Sequence, residues 1–103
     1  MDMAMRDFEV QLFFGAPKGT DIHRASSAIE DAARALNLVG TDVCVSPYAN
    51  SIILTFYVRA EKFHEEDADR IAKELLALSG YSFSLDAAEG RRLRDNGVGL
   101  VYA

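Results

Sequence analysis

The chain has 103 residues, half of them hydrophobic, and a formal net charge of −5. This length suits one domain with its own core, and the negative charge disfavours phosphate neutralisation, so we expect no nucleic-acid partner. The single cysteine, Cys44, excludes an internal disulfide. No apolar run approaches the roughly 20 residues that cross a bilayer, and the opening residues lack the hydrophobic segment of a secretory signal. We therefore expect one cytoplasmic α+β domain over residues 1–103, with no membrane association and a disordered tail over residues 1–6.

The first predicted strand covers residues 7–14, where apolar and other side chains alternate over a period of two. Its inward side chains are predicted to be Phe8, Val10, Leu12 and Phe14. Phe13 then points to the opposite face. A helix is predicted next, because Thr20 or Asp21 offers a capping oxygen and apolar residues recur at spacings of three and four up to Leu36.

The middle of the chain predicts an antiparallel hairpin. A short strand over residues 41–46 is followed by a turn containing Pro47, and a longer strand covers residues 51–59. The core face of the longer strand is predicted to carry Ile52, Leu54, Phe56 and Val58. Because side chains alternate along a strand, Ile53, Thr55 and Tyr57 are expected on the other face.

A second helix is predicted from His64 or Glu65 to Ser79, with Gly80 ending it. Its first turn is rich in acids, which the helix dipole favours there. A strand over residues 81–85 follows. Beyond it we predict a short helix near residues 86–95, stopped by Asn96 and Gly97, and a final strand over 98–102, with a long hairpin as the alternative.

The predicted order β-α-β-β-α-β is typical of the ferredoxin-like arrangement, a two-layer sandwich in which two helices cover one face of an antiparallel sheet. The short helix and the final strand are expected as C-terminal additions. Strand two is expected at an edge of the sheet, where Pro47 removes no essential backbone hydrogen bond.

The residue pattern gives little support for a catalytic site or a cofactor-binding site. Gly15 and Gly19 enclose three residues, whereas a phosphate-binding loop of the nucleoside-triphosphate type needs four and a lysine after the second glycine. The two histidines, His23 and His64, fall at helix starts and match no metal-binding spacing. Cys44 lacks a neighbouring base in the sequence. We expect no catalytic residues, metal or cofactor, and predict that the glycine loop only connects strand to helix.

The sheet face without helices is the most informative feature. Phe13, Ile53 and Tyr57 are expected there on the two central strands, but the aromatic pattern of RNA-binding sheets is missing. Arg91, Arg92 and Arg94 form the densest positive cluster, and guanidinium groups suit carboxylate partners. The leading hypothesis is a non-enzymatic, protein-binding module that forms a homodimer through Phe13, Ile53 and Tyr57, with the three arginines supplying specificity.

Two other functions stay open at this point. A cavity between sheet and helices could bind a small molecule, as a regulatory domain or a small enzyme, and its polar groups would come from Tyr48, Tyr57, Arg59 and His64. Alternatively, the acidic run over residues 61–69 could bind the basic surface of a partner.

Overall fold

The computed structural model describes residues 5–93 together with the backbone of residues 100–102. The elements in chain order are β1 (Arg6–Gly15), α1 (Ile22–Ala35), β2 (Val39–Ser46), β3 (Ser51–Ala60), α2 (Glu65–Ser79), β4 (Ser84–Leu93) and β5 (Leu100–Tyr102). The strands form one sheet in the order β2-β3-β1-β4-β5, and every neighbouring pair is antiparallel. The predicted α+β class, with two long helices and an antiparallel sheet, is confirmed.

One face of the central strands forms the core. The buried side chains of the strands are Phe8, Val10, Leu12 and Phe14 of β1 and Ile52, Leu54 and Phe56 of β3. Those of the helices are Ile22, Ala25, Ile29, Ala32 and Ala33 of α1 and Ala68, Ala72 and Leu75 of α2. All of them belong to one cluster, so both helices pack on the same side of the sheet. The predicted inward positions of both strands are confirmed, except that Val58 is only partly buried.

Side-chain carboxylates satisfy free amides at both helix starts. Asp21 Oδ1 accepts a hydrogen bond from the Arg24 amide at 3.2 Å, which places the cap of α1 at the second of the two predicted residues. Asp67 Oδ2 accepts from the His64 amide at 2.9 Å, and this bond ties the first turn of α2 to the preceding chain. Gly80 ends α2 in the left-handed conformation, as predicted.

The short helix predicted near residues 86–95 is wrong over residues 86–93, because this segment is part of β4. The alternative prediction of a long hairpin agrees with the antiparallel pairing of β4 with β5. The strand also begins later than predicted, at Ser84 and not at residue 81. Alanine, glutamate and arginine favour a helix by only tenths of a kcal/mol per residue, and backbone pairing with β1 from Ser84 to Arg92 outweighs that preference. The predicted stop at Asn96 and Gly97 lies outside the described residues.

The two ends of the described chain pair with the sheet. Arg6 begins β1 opposite Ala60, so the predicted disordered tail is wrong at this residue, whereas residues 1–4 lie outside the described part of the chain. Leu100–Tyr102 falls within the predicted final strand and pairs with residues 91–93 of β4. Among the residues that the structure describes, neither helix has the length and apolar character needed to span a membrane.

Candidate interaction surface

The side of the sheet opposite the helices carries a continuous set of outward side chains, which we call the open face. Its members were identified from the cross-strand register and the alternation along each strand. They are Val39, Asp42 and Cys44 of β2; Ile53, Thr55, Tyr57 and Arg59 of β3; Asp7, Glu9, Gln11 and Phe13 of β1; and Ala87, Glu89 and Arg91 of β4.

An apolar row crosses the open face near one end. Cys44, Ile53, Phe13 and Ala87 are successive register partners on the four neighbouring strands. Phe13 and Ile53 are half-buried by their neighbours, whereas Cys44 and Ala87 are exposed. The row leaves apolar surface in contact with water near the Gly15 end of β1, with no helix over it.

Four residues further along β3, Tyr57 lies in a polar group. Its hydroxyl donates a hydrogen bond to Glu9 Oε2 at 3.1 Å, and the other carboxylate oxygen of Glu9 lies 3.3 Å from the Arg91 guanidinium. The hydrogen bond to Glu9 raises the pKa of Tyr57 above its usual value of 10.0, because ionisation would break the bond and place two negative charges together. The Tyr57 ring packs against Gly40, where an added Cβ would lie 2.7 Å from the ring.

Two more cross-strand pairs join β1 and β3 on the open face. Arg59 donates two hydrogen bonds to Asp7, at 2.9 and 3.2 Å, and these hold the pKa of Asp7 below its usual value. Gln11 Nε2 donates a longer bond of 3.4 Å to Thr55 Oγ1. All four side chains keep contact with water, so the charges of Asp7 and Arg59 are exposed rather than buried.

The predicted interface residues are only partly brought together. Phe13, Ile53, Tyr57 and Arg91 share the open face. Arg92 is paired with Phe8, whose side chain belongs to the core, and therefore lies on the helix side of β4. Adjacent residues of a strand point to opposite faces, so the expected cluster of arginines does not form there as one patch. Arg94 lies outside the described residues.

The predicted ligand residues are distributed over separate parts of the molecule. Tyr48 is fully exposed in the β2–β3 turn, and Arg59 lies at the far end of β3, roughly 25 Å away at the usual rise per strand residue. His64 is at the start of α2, where it borders a cavity of about 170 Å³ together with Phe63 and Ala88. Neither Tyr48 nor Arg59 lines that cavity.

The other sequence features show ordinary structural contacts. In the glycine loop, the Thr20 amide and hydroxyl both donate to the carbonyl of Pro17, at 3.1 and 2.6 Å. Cys44 Sγ lies 3.9 Å from a carboxylate oxygen of Asp42 on the open face. Within the described residues, no three His, Cys, Asp or Glu side chains converge as metal ligands would. The acidic residues at the start of α2 extend over its first turn, and Asp67 also accepts a bond of 3.1 Å from Arg70.

Sequence reasoning did not identify five members of the open face, which are Asp7, Val39, Asp42, Ala87 and Glu89, nor the position of Gly40 beneath the Tyr57 ring. Asp7 alternates with the inward residues of β1, which is a detectable signal. Its partner on β3 depends on the strand register, which the sequence does not reveal. The position of Gly40 beneath the Tyr57 ring depends on the same register.

Comparison with known proteins adds one weak structural likeness. No protein-family model matches the chain, and no curated protein matches it. A solved structure of an uncharacterized protein from Thermotoga maritima is similar, with 9% sequence identity and a TM-score of 0.46, over 88% of this chain and 100% of that one.

Proposed function

We propose that this protein is a non-enzymatic interaction module that self-associates through the open face, on a ferredoxin-like two-layer fold with an added C-terminal strand. The element order and the strand order support the fold assignment. The observation that carries the function is the position of Phe13, Ile53 and Tyr57, which lie on the side of the central strands that neither helix covers.

The size of the open face supports a second copy as the partner. Ten-residue strands at the usual rise and spacing give a face of roughly 20 by 30 Å, so two copies stacked through it would bury about 1,200 Å² in total. This value is at the lower end of the range for specific protein complexes. The apolar row with polar pairs beside it also has the composition of an interface with a polar rim.

The test is the substitution Tyr57→Asp. A carboxylate at this position would be desolvated on association and would lie beside Glu9, so we expect the dimer to dissociate while the monomer stays folded. Light scattering over a range of concentrations measures the mass, and circular dichroism checks the fold. Tyr48→Asp is the matched control, because it makes the same change at a fully exposed tyrosine outside the open face. A wild-type protein that is monomeric throughout would refute the proposal, as would a Tyr57→Asp variant that associates normally.

A further inference from the structure

The two central strands of the open face carry complementary residues. On β1 the outward side chains are Asp7, Glu9, Gln11 and Phe13, and their register partners on β3 are Arg59, Tyr57, Thr55 and Ile53. Each pair therefore joins an acid to a donor, an amide to a hydroxyl, or two apolar groups. The acceptor carboxylates belong to β1, and the cationic and phenolic donors belong to β3.

This pattern allows a second copy to satisfy the same pairs between chains. In a face-to-face dimer the two-fold axis lies in the plane between the sheets. An axis parallel to the strands and midway between β1 and β3 places β1 of one protomer over β3 of its partner. Rotation about this axis does not shift residues along the strand direction. Each outward residue of β1 therefore lies over the residue of the partner's β3 with which it is paired within its own chain. Since β1 and β3 are also the middle pair of the four strands β2-β3-β1-β4, this axis gives the largest overlap of the two faces.

We propose that the protein dimerises in this arrangement, with a second copy of the chain as the partner and the axis between β1 and β3. The inference rests on the proposed function and specifies its geometry. Phe13 then contacts Ile53 of the other protomer, and Asp7 faces the other protomer's Arg59. Arg59 retains donor capacity for this contact, because two of its five N–H groups are used by Asp7 and its side chain is 70% exposed.

Between the outer strands, this axis creates one favourable contact and one weakly unfavourable contact. The axis places β2 over β4, so that Cys44 lies over Ala87 and extends the apolar row. It also brings Asp42 towards Glu89, a like-charge contact. Both carboxylates are exposed at the rim, where solvent and salt reduce the repulsion. An axis perpendicular to the strands would invert the order of the rows and would lose the Asp7–Arg59 contact between protomers.

The test is a pair of charge reversals, Asp7→Arg and Arg59→Asp. In either homodimer, like charges face each other across the axis, so we expect the dissociation constant to rise about tenfold or more. In an equimolar mixture, the two arginines of one variant face the two aspartates of the other. We therefore expect the mixture to form a heterodimer with an affinity close to that of the wild type, measured by light scattering and by native mass spectrometry.

The control pair is Asp31→Arg and Arg34→Asp, which reverses an exposed ion pair of α1 with a separation of 2.7 Å. Circular dichroism of each variant checks the fold.

A second measurement mixes Gln11→Cys with Thr55→Cys, both carrying Cys44→Ser. A short thiol cross-linker should join the two chains at the centre of the interface.

The outcomes separate this inference from the proposed function. A monomeric wild type would overturn both. A dimer that Tyr57→Asp dissociates but that neither charge reversal weakens would leave the open face as the interface and overturn the axis. Two weakened variants whose mixture stays weak, with no cross-link between Gln11→Cys and Thr55→Cys, would overturn the axis as well. Only a return to wild-type affinity in the equimolar mixture supports the axis.

Discussion

The two faces of the central strands have the same backbone but opposite environments. On β3, Leu54 is fully buried among the helices, while its neighbour Thr55 is half-buried on the open face and holds a 3.4 Å hydrogen bond from Gln11. The helix side excludes water through close packing, and the open face is organised by cross-strand pairs of polar groups. One strand thus contributes to the core through one set of side chains and presents exposed polar pairs through the other.

The largest expected difference between the faces is in stability. Leu54→Ala removes fully buried methyl groups and leaves a cavity, so we expect the free energy of unfolding to fall by about 2–5 kcal/mol. Thr55→Ala removes one weak hydrogen bond, with an expected loss of about 1 kcal/mol or less. Urea unfolding at a concentration where the protein is monomeric measures both. Equal losses would show that the open face is also packed core.

A smaller loss of stability is expected from a substitution at Gly40, which belongs to the edge strand β2 and lies against the Tyr57 ring of the open face. Its φ is +64°, and an added Cβ would lie 2.7 Å from the Tyr57 ring. Gly40→Ala should cost roughly 1–2 kcal/mol for the left-handed backbone and should also displace the ring. Gly80→Ala is the control, because φ is +80° there and nothing lies within 4 Å of the new Cβ.

Spectroscopic titration of Tyr57 separates the two contributions at Gly40. If the ring moves, its hydrogen bond to Glu9 weakens and the raised pKa of Tyr57 returns towards 10.0. We expect this change in Gly40→Ala and not in Gly80→Ala. An unchanged titration in Gly40→Ala would show that the backbone shifts and the ring does not.

The smallest expected effect is the acid dependence of the open face. The hydrogen bonds from Arg59 lower the pKa of Asp7 below 3.8, so this pair stabilises the fold above that pH, and its contribution is lost as the pH falls through the lowered pKa. Arg59→Ala should therefore make the thermal midpoint less sensitive to pH between about 5 and 2. The contribution of Asp67, whose pKa is lowered mainly by the His64 amide, should persist in this variant.

The sequence predicted those structural features that depend on residues close together in the chain. Alternation along residues 7–14 and 51–59 identified the buried faces of both central strands, because a strand half in contact with a core must repeat every two residues. The ends of α1 and α2 were close to their predicted residues, since Asp21 and Gly80 act on the backbone beside them.

The residues of β4 show where such reasoning fails. The segment from Asp86 to Leu93 contains good helix formers, and its strand conformation is imposed by pairing with β1, more than 70 positions earlier in the chain. One consequence is a register shift between Phe13 and Phe14, which are paired with Ala87 and Leu85 and leave Asp86 as an extra residue. Local propensity contains no information about such a distant partner.

By itself, the sequence determined the α+β class, the residues of the core and the presence of Phe13, Ile53 and Tyr57 away from it, since each follows from short-range periodicity. Only the tertiary structure decided which side chains meet across the strands: Asp7 with Arg59, Glu9 with Tyr57 and Arg91, and Gly40 with the Tyr57 ring. The reason is that a shift of one residue in strand pairing moves every outward side chain to a different neighbour, and that register is fixed by the packing of the whole sheet.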